Sequence, residues 1–398
     1  MKKTIAILLA LVLCLALAAC GSSQKSTSAD VKIGFIFLHD ENSTYDKNFM
    51  DAAKETCEKL NVEYLLKTNI PEDERCAEAA EELIDQGCNI IFADSFGHES
   101  FMIQVAKEHP DVQFCHATGT RAHTEGLPNY HNAFASIYEG RYLAGVAAGM
   151  KIKEMIDKEG LAPENAKIGY IGAYTYAEVI SGYTSFFLGA RSIVPEVTME
   201  VTFTGSWYDF DLEQTGAKTL IDDGCVLISQ HADSMGAPGA CETAGIPNVS
   251  YNGSTLDACP NTFIVSSRIN WSPYFEFIID AVKNGKEIPA DWTGTIETGS
   301  VVLTDVNTAV AAEGTAEAIE AVKAELQAGT RHVFDITTFT VEGKTLEEYM
   351  ADVDTDEAYT GDHNVIHDGF FDESGADFRS APFFDLRIDG ITLLDQKY

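Results

Sequence analysis

The run Gln230-His231-Ala232-Asp233-Ser234 sets an imidazole two residues from a carboxylate, a pairing that a hydrolase or a metal site would use. A zinc site asks for three or four Cys, His or carboxylate ligands at recurring spacings. No such companion set stands near His231, and no CxxC occurs anywhere. A hydrolase would need a nucleophile or a metal-activated water beside the base, and the sequence offers neither. Catalysis, a metal and a cofactor are therefore not expected. What remains for Gln230, His231 and Asp233 is hydrogen bonding to the edge of a small molecule, through an amide, a ring nitrogen or a carboxyl. Which of the three points inward stays open, because neighbours along a strand face opposite ways. Phe96, Trp207 and Trp271 add large flat faces close to turns.

Composition narrows the partners. The formal net charge is −35, and such a surface repels nucleic acid and anionic lipid, so neither is expected to bind. Of nine cysteines, Cys14 and Cys20 sit at the N-terminus. Cys57, Cys76, Cys88, Cys115, Cys225, Cys241 and Cys259 remain, an odd set with at least one free thiol. A Cys241–Cys259 disulfide and a set of small buried apolar residues are both open.

The N-terminus reads as an export signal. Lys2 and Lys3 precede an apolar run from Ile5 to Ala19 that is too short for a comfortable membrane span. Leu17-Ala18-Ala19-Cys20-Gly21 resembles a bacterial lipobox, which implies cleavage before Cys20 and a diacylglycerol on its thiol; an ordinary signal with a chance cysteine is the alternative. Residues 1–19 are thus expected to be a lipoprotein signal peptide and residues 20–30 the anchor and a flexible tether.

The remaining body of about 370 residues has room for two or three cores. Short β-rich runs alternate with helical patterns, the mark of βαβ units. Strands are expected at Val31–Phe37, Val62–Leu66, Asn89–Ala93 and Val112–His116, with helices at about Asp46–Leu60, Glu72–Gln86 and Phe101–Glu108. The pattern then recurs. Lys167-Ile168-Gly169-Tyr170-Ile171 echoes Lys32-Ile33-Gly34-Phe35-Ile36, and Leu220-Ile221-Asp222-Asp223-Gly224-Cys225 echoes Leu83-Ile84-Asp85-Gln86-Gly87-Cys88. Each second echo leads into an apolar strand ending near Asp-Ser, at Asp94-Ser95 and at Asp233-Ser234. The two echoes keep order and nearly the same offset, so the chain reads as two copies of one doubly wound α/β lobe. Ligands of such sheets bind outside the carboxyl ends of the strands. Two facing lobes make one cleft that closes by a hinge.

Residues from about 32 to 305 resemble the basic membrane protein family of ABC-transporter substrate-binding lipoproteins. The segments that carry the resemblance are Ser95-Phe96-Gly97, His116-Ala117-Thr118-Gly119, Tyr138-Glu139-Gly140-Arg141-Tyr142-Leu143-Ala144-Gly145, Ser206-Trp207-Tyr208-Asp209, Gln230-His231-Ala232-Asp233-Ser234 and Asn270-Trp271-Ser272-Pro273-Tyr274. The resemblance implies a type I periplasmic-binding-protein fold with two Rossmann-like lobes and three interlobe crossings. It implies a purine base or purine nucleoside in the cleft, an ABC permease as partner, and a lipid-anchored position on the extracytoplasmic face of the cell membrane. Boundaries are expected at 31–135 plus about 266–300 for the N-terminal lobe and 136–265 plus about 301–330 for the C-terminal lobe. Residues 331–398 form an extension. A ligand sensor coupled to a signalling partner, a binder of another flat heterocycle and an exported nucleoside hydrolase are the rival readings.

Under this reading Phe96 and Trp207 are stacking faces, with Tyr45 and Asp46 in the first strand–helix loop opposite them. Asp46 and Asp209 could instead cap helices. Trp271 lies at a crossing, where hinge packing competes with ligand contact. Gly97, Asn252 and Asn270 complete the expected ligand set, beside Gln230, His231 and Asp233. Glu139 and Arg141 are assigned structure, and Gly140 and Gly145 close helix packing. Where the family usually ends a strand in an aspartate that holds ribose hydroxyls, this chain has Asn252, and a lysine common near Ile269-Asn270 is missing. Both departures lead to the expectation that a free base binds at least as tightly as its nucleoside. Beyond 305 a helix over Ala309–Gln327 and a strand pair near Phe384–Arg387 and Gly390–Leu394 are expected.

Overall fold

Strands and helices alternate through two open sheets, and the winding is the same in both. The computed structural model describes residues 30–353, 361–374 and 378–398. The expected signal peptide, Cys20 and all of the expected tether but Asp30 lie outside the described residues. The chain begins with β1 (Lys32–Ile36), α1 (Thr44–Leu60), β2 (Glu63–Lys67), α2 (Arg75–Asp85), β3 (Ile90–Ala93), α3 (Glu99–Glu108), β4 (Gln113–Ala117) and β5 (Tyr130–Ala135). It then crosses to α4 (Ile137–Glu154), β6 (Lys167–Gly172), α5 (Ala177–Arg191), β7 (Thr198–Phe203), α6 (Phe210–Asp222), β8 (Leu227–His231), α7 (Gly236–Ala244), β9 (Asn248–Tyr251) and β10 (Phe263–Ile269). A return brings α8 (Ser272–Asn284) and β11 (Asp291–Gly294), followed by β12 (Val301–Leu303), α9 (Thr315–Gln327) and finally β13 (Ile391–Leu393).

The first sheet runs β2-β1-β3-β4-β5-β11 and the second β13-β7-β6-β8-β9-β10-β12. All pairings are parallel except that of β10 with β12. The first five strands of each half therefore share one order, and one packing contact shows why the sequences echo. A Cβ on Gly34 would sit 2.8 Å from the side chain of Leu83, and one on Gly169 would sit 2.9 Å from that of Leu220. In each half a glycine on the first strand admits a leucine from the second helix. Helices cover both faces, so β3 and β5 are buried at every position, as parallel strands in α/β sheets are.

The helix after the first crossing packs at backbone distance. A Cβ on Gly145 would meet the Phe186 carbonyl at 2.0 Å, and one on Gly189 the Tyr142 carbonyl at 2.1 Å, so α4 and α5 cross with no side chain between them. Arg141, buried on α4, reaches under the ends of β8 and β9. It donates to the Tyr170 and Ser229 hydroxyls at 2.8 and 3.1 Å and lies over the Tyr251 ring.

Several local expectations change. Strand β10 runs on to Ile269 in the second sheet, so the second crossing falls at Asn270. The last helix starts at Thr315 because Asn307 folds the preceding residues into a turn and Gly314 adopts a left-handed φ of 82°. Phe384–Arg387 is not a strand: Ile391–Leu393 instead extends the second sheet beside β7, while Phe383 and Phe384 are buried. All seven described cysteines are unpaired and buried, so no Cys241–Cys259 bridge forms.

Candidate functional site

The carboxyl ends of the strands from both lobes meet around a narrow cleft that is partly open to solvent. The first lobe contributes Leu38 beyond β1, Tyr45 and Asp46 from the start of α1, Ser95 and Phe96 beyond β3, and Thr118 beyond β4. The second contributes Glu178 at the start of α5, Trp207 beyond β7, His231 and Asp233 at the end of β8, and Asn252 beyond β9. The lobes touch at its rim. The Thr44 N–H donates to the Asp233 carbonyl at 3.0 Å, and the Phe96 ring lies 5.5 Å from that of Tyr176.

Three aromatic rings face this space with three carboxyl groups, and among the described residues no Lys or Arg lines it. Trp207 stands edge-on to Tyr174 at 5.2 Å, and its carbonyl accepts the Asp233 N–H at 2.9 Å. Tyr45 donates its hydroxyl to the Asp94 carbonyl at 2.7 Å. Burial works against ionisation of Asp46. The His39 N–H at 2.7 Å and the Ser43 hydroxyl at 2.6 Å outweigh it and hold the carboxyl below its ordinary value. Ser43, not Asp46, caps α1.

Asp233 behaves oppositely. Burial first, then the charges of Asp46, Glu213 and Glu178, push its carboxyl well above the usual range. Asp94, behind Asp46, is raised in the same way by burial and by Asp46. The His231 imidazole is pushed down by burial, only partly offset by Glu178 at 3.3 Å. Asn252 takes the left-handed conformation at φ 66°, which Asn tolerates better than most residues, and donates to Asp233 at 3.4 Å. The cleft thus offers three carboxyl groups, an imidazole, an amide and the hydroxyls of Ser95 and Thr118.

Five residues of the expected set lie elsewhere. Gly97 donates its N–H to Glu72 at 2.8 Å on the outer side of its turn. Asp209 is the N-cap of α6, accepting from the Leu212 N–H at 2.9 Å. Gln230 lies outside the cleft lining that its neighbour His231 joins, and its amide oxygen accepts from Asn248 at 3.0 Å. Asn270 clamps two crossings together, donating to the Gly299 carbonyl and receiving the Ser272 N–H. Trp271 is 1% exposed and stacks on Phe49 at 4.4 Å, inside the core of the first lobe.

Leu38, Ser95, Thr118 and Glu178 line the cleft without having been singled out. The repeat carried a signal for Glu178, because the loop after β6 is the second copy of the loop that bears Tyr45 and Asp46. Among the described residues no cluster of His, Cys, Asp and Glu could hold a metal ion, and no helix is long and apolar enough to cross a membrane.

Residues 36–329 match the family model described as ABC transporter substrate-binding protein, PnrA-like. A purine-binding protein of Brucella abortus is 34% identical over 260 residues, covering 64% of this chain and 69% of that protein. A Haloferax volcanii protein described as an ABC transporter glucose-binding protein is 31% identical over 272 residues, 68% of this chain and 63% of its own length. Among solved structures, a solute-binding protein of an ABC transporter from Conexibacter woesei superposes with a TM-score of 0.60 at 19% identity, covering 76% of this chain and 98% of its own, a likeness of fold.

Proposed function

The chain belongs to the PnrA-like family of ABC transporter substrate-binding proteins, a family of binders rather than enzymes, and on that premise we propose that it captures a purine base or purine nucleoside between its lobes for an ABC permease. The observation that carries the reading is the lining of the cleft: Tyr45, Phe96 and Trp207 supply faces for a flat ring, and Asp46, Asp233 and Asn252 supply acceptors and donors for its edge. Stacking on an aromatic side chain is worth about 1–3 kcal/mol per base. With carboxyl groups and no cation on the lining, the ligand is uncharged or carries hydrogen-bond donors toward Asp46, and phosphate esters are disfavoured. Cleavage before Cys20 and lipidation of its thiol hold the protein at the extracytoplasmic face of the membrane, beside the permease.

Mass spectrometry of the small molecule released when the purified protein is denatured tests the ligand directly, followed by calorimetric titration of adenine, hypoxanthine, adenosine, inosine and glucose. A purine is expected to be released and to bind. Binding of glucose with no response to any of the four purine compounds would overturn the proposal in favour of a sugar, the ligand named for the Haloferax relative.

A further inference from the structure

The family match ends at residue 329, and the chain beyond it is built onto one lobe while touching the other. We propose that this terminal segment is a latch: rooted in the second lobe and clasped to the first at Asp291, it resists the hinge opening through which ligand enters and leaves. The proposal rests on ligand binding between the lobes, and not on which ligand is bound.

The root is extensive. Strand β13 extends the second sheet beside β7, and Asp395 just past it accepts the Phe203 N–H at 2.8 Å and the Thr202 hydroxyl at 3.2 Å. Thr175, in the loop after β6, exchanges hydrogen bonds with the Lys397 backbone at 2.7 and 2.9 Å. Helix α5 holds the segment from the other side: Arg191 donates to the Asp389 carbonyl at 3.2 Å, and the Ser181 hydroxyl donates to Glu373 at 2.6 Å. Glu373 also accepts the N–H groups of Phe383 and Phe384 at 3.1 and 2.6 Å, which ties the segment to itself. Phe334, Phe371, Phe383 and Phe384 are buried. With an apolar interior and these anchors, the segment moves with the second lobe.

The clasp is compact. Asp291 is the first residue of β11, the edge strand of the first sheet. Its Oδ1 accepts both the N–H and the hydroxyl of Ser380, at 2.6 and 2.7 Å. Its Oδ2 lies 2.5 Å from Nδ1 of His123, beyond β4, so the carboxyl group is held to the first lobe from two sides. The Asp291 side chain is only 6% exposed, and water competes little for it. Strand β11 ends at Gly294, where the third crossing begins. The clasp therefore stands three residues, or about 10 Å of strand, away from that pivot. A hinge rotation carries Ser380 off Asp291, and a separation past about 3.5 Å ends the hydrogen bonds. Neither residue lines the cleft. The latch thus acts on the movement of the lobes and leaves the ligand contacts alone.

Two measurements on the unaltered protein, Asp291→Ala and Ser380→Ala test the latch, with thermal denaturation reporting that the variants fold. Small-angle X-ray scattering reads the opening of the lobes without any ligand. Stopped-flow dilution of the adenosine complex, followed by tryptophan fluorescence with Trp207 in the cleft as reporter, reads the exchange rate. Asp291→Ala is expected to enlarge the radius of gyration of the free protein, and adenosine to bring it back to that of the unaltered complex. The same variant should release adenosine about tenfold faster. Ser380→Ala removes the hydroxyl bond, keeps the backbone one and leaves Asp291 with His123, so it should shift both quantities in the same direction and less far. A folded Asp291→Ala protein with an unchanged radius of gyration, or with an unchanged release rate, would overturn the latch. Adenosine that fails to bind would count against the purine reading of the cleft, and the scattering would then decide the latch by itself.

Discussion

Replacing Trp207 by alanine should separate ligand binding from stability. The indole lines the cleft and is only half-buried, while the Trp207 carbonyl, which holds the Asp233 N–H, belongs to the backbone and survives the change. Losing one stacking face costs about 1–3 kcal/mol, or about 5- to 150-fold in affinity. Trp207→Phe keeps a flat face and should recover most of that loss. Trp271→Ala is the internal control. That indole is fully buried against Phe49, so its removal should cost about 3–5 kcal/mol of stability. Calorimetry with whichever purine binds the unaltered protein, run beside urea denaturation, reads both quantities. A folded Trp207→Ala protein with unchanged affinity would remove Trp207 from the ligand site. A Trp271→Ala protein that is fully stable would refute the distinction between the two tryptophans.

Glu373 gives a pH dependence. Burial pushes its carboxyl from 4.5 up to about 7 in the folded protein, so the folded state holds a proton that the unfolded chain has released over that window. Stability from this group is present below 4.5 and is lost as pH rises through about 7, by up to about 3 kcal/mol. Glu373→Gln should flatten that decline when urea unfolding at pH 4.5 is compared with pH 7, and an unchanged slope would exclude Glu373 as its source. Asn252→Asp sets a second carboxyl group against Asp233, so ligand affinity should fall more steeply with rising pH than in the unaltered protein; parallel pH profiles would show that the two side chains do not face each other. Cys20→Ser should abolish incorporation of radiolabelled lipid, and label retained on the variant would refute the lipobox.

The lobes were legible because the repeat repeats a packing contact. Gly34 with Leu83 and Gly169 with Leu220 are local enough to leave a mark in the sequence, and buried parallel strands read as unbroken apolar runs. The site was legible only to the resolution of a strand end. His231 lines the cleft and its neighbour Gln230 does not, an alternation whose phase depends on the sheet. Asp209 and Trp271 have the right residue types, but one caps a helix and the other fills a core. The terminal segment was least readable. Phe334, Phe371 and Phe384 are far apart in sequence and meet only in the folded chain, with ring centroids 4.1 Å apart for Phe334 and Phe384 and 4.8 Å for Phe371 and Phe384. Its strands of two or three residues leave no periodicity to detect.

The repeat also explains the electrostatics of the cleft, through a symmetry that the two halves break. Asp94-Ser95 and Asp233-Ser234 end the third strand of each half, and a glutamate ties each loop: Glu72 takes the Ser95 hydroxyl at 2.6 Å, and Glu213 takes the Ser234 N–H at 3.1 Å. The two aspartates are equivalent by sequence and opposite in use. In the first half the loop bearing His39 and Asp46 folds over Asp94, which accepts the Leu38 N–H at 3.2 Å and lies behind the lining. In the second half the matching loop carries Glu178, which turns to His231, and Asp233 is left facing the ligand space. One copy of the acid therefore supports the wall while the other lines the cleft, its carboxyl raised by burial and by the charge of Asp46 that the first half places near it. A duplicated lobe thus yields a cleft with two different faces, which suits the unsymmetrical ring proposed as its ligand.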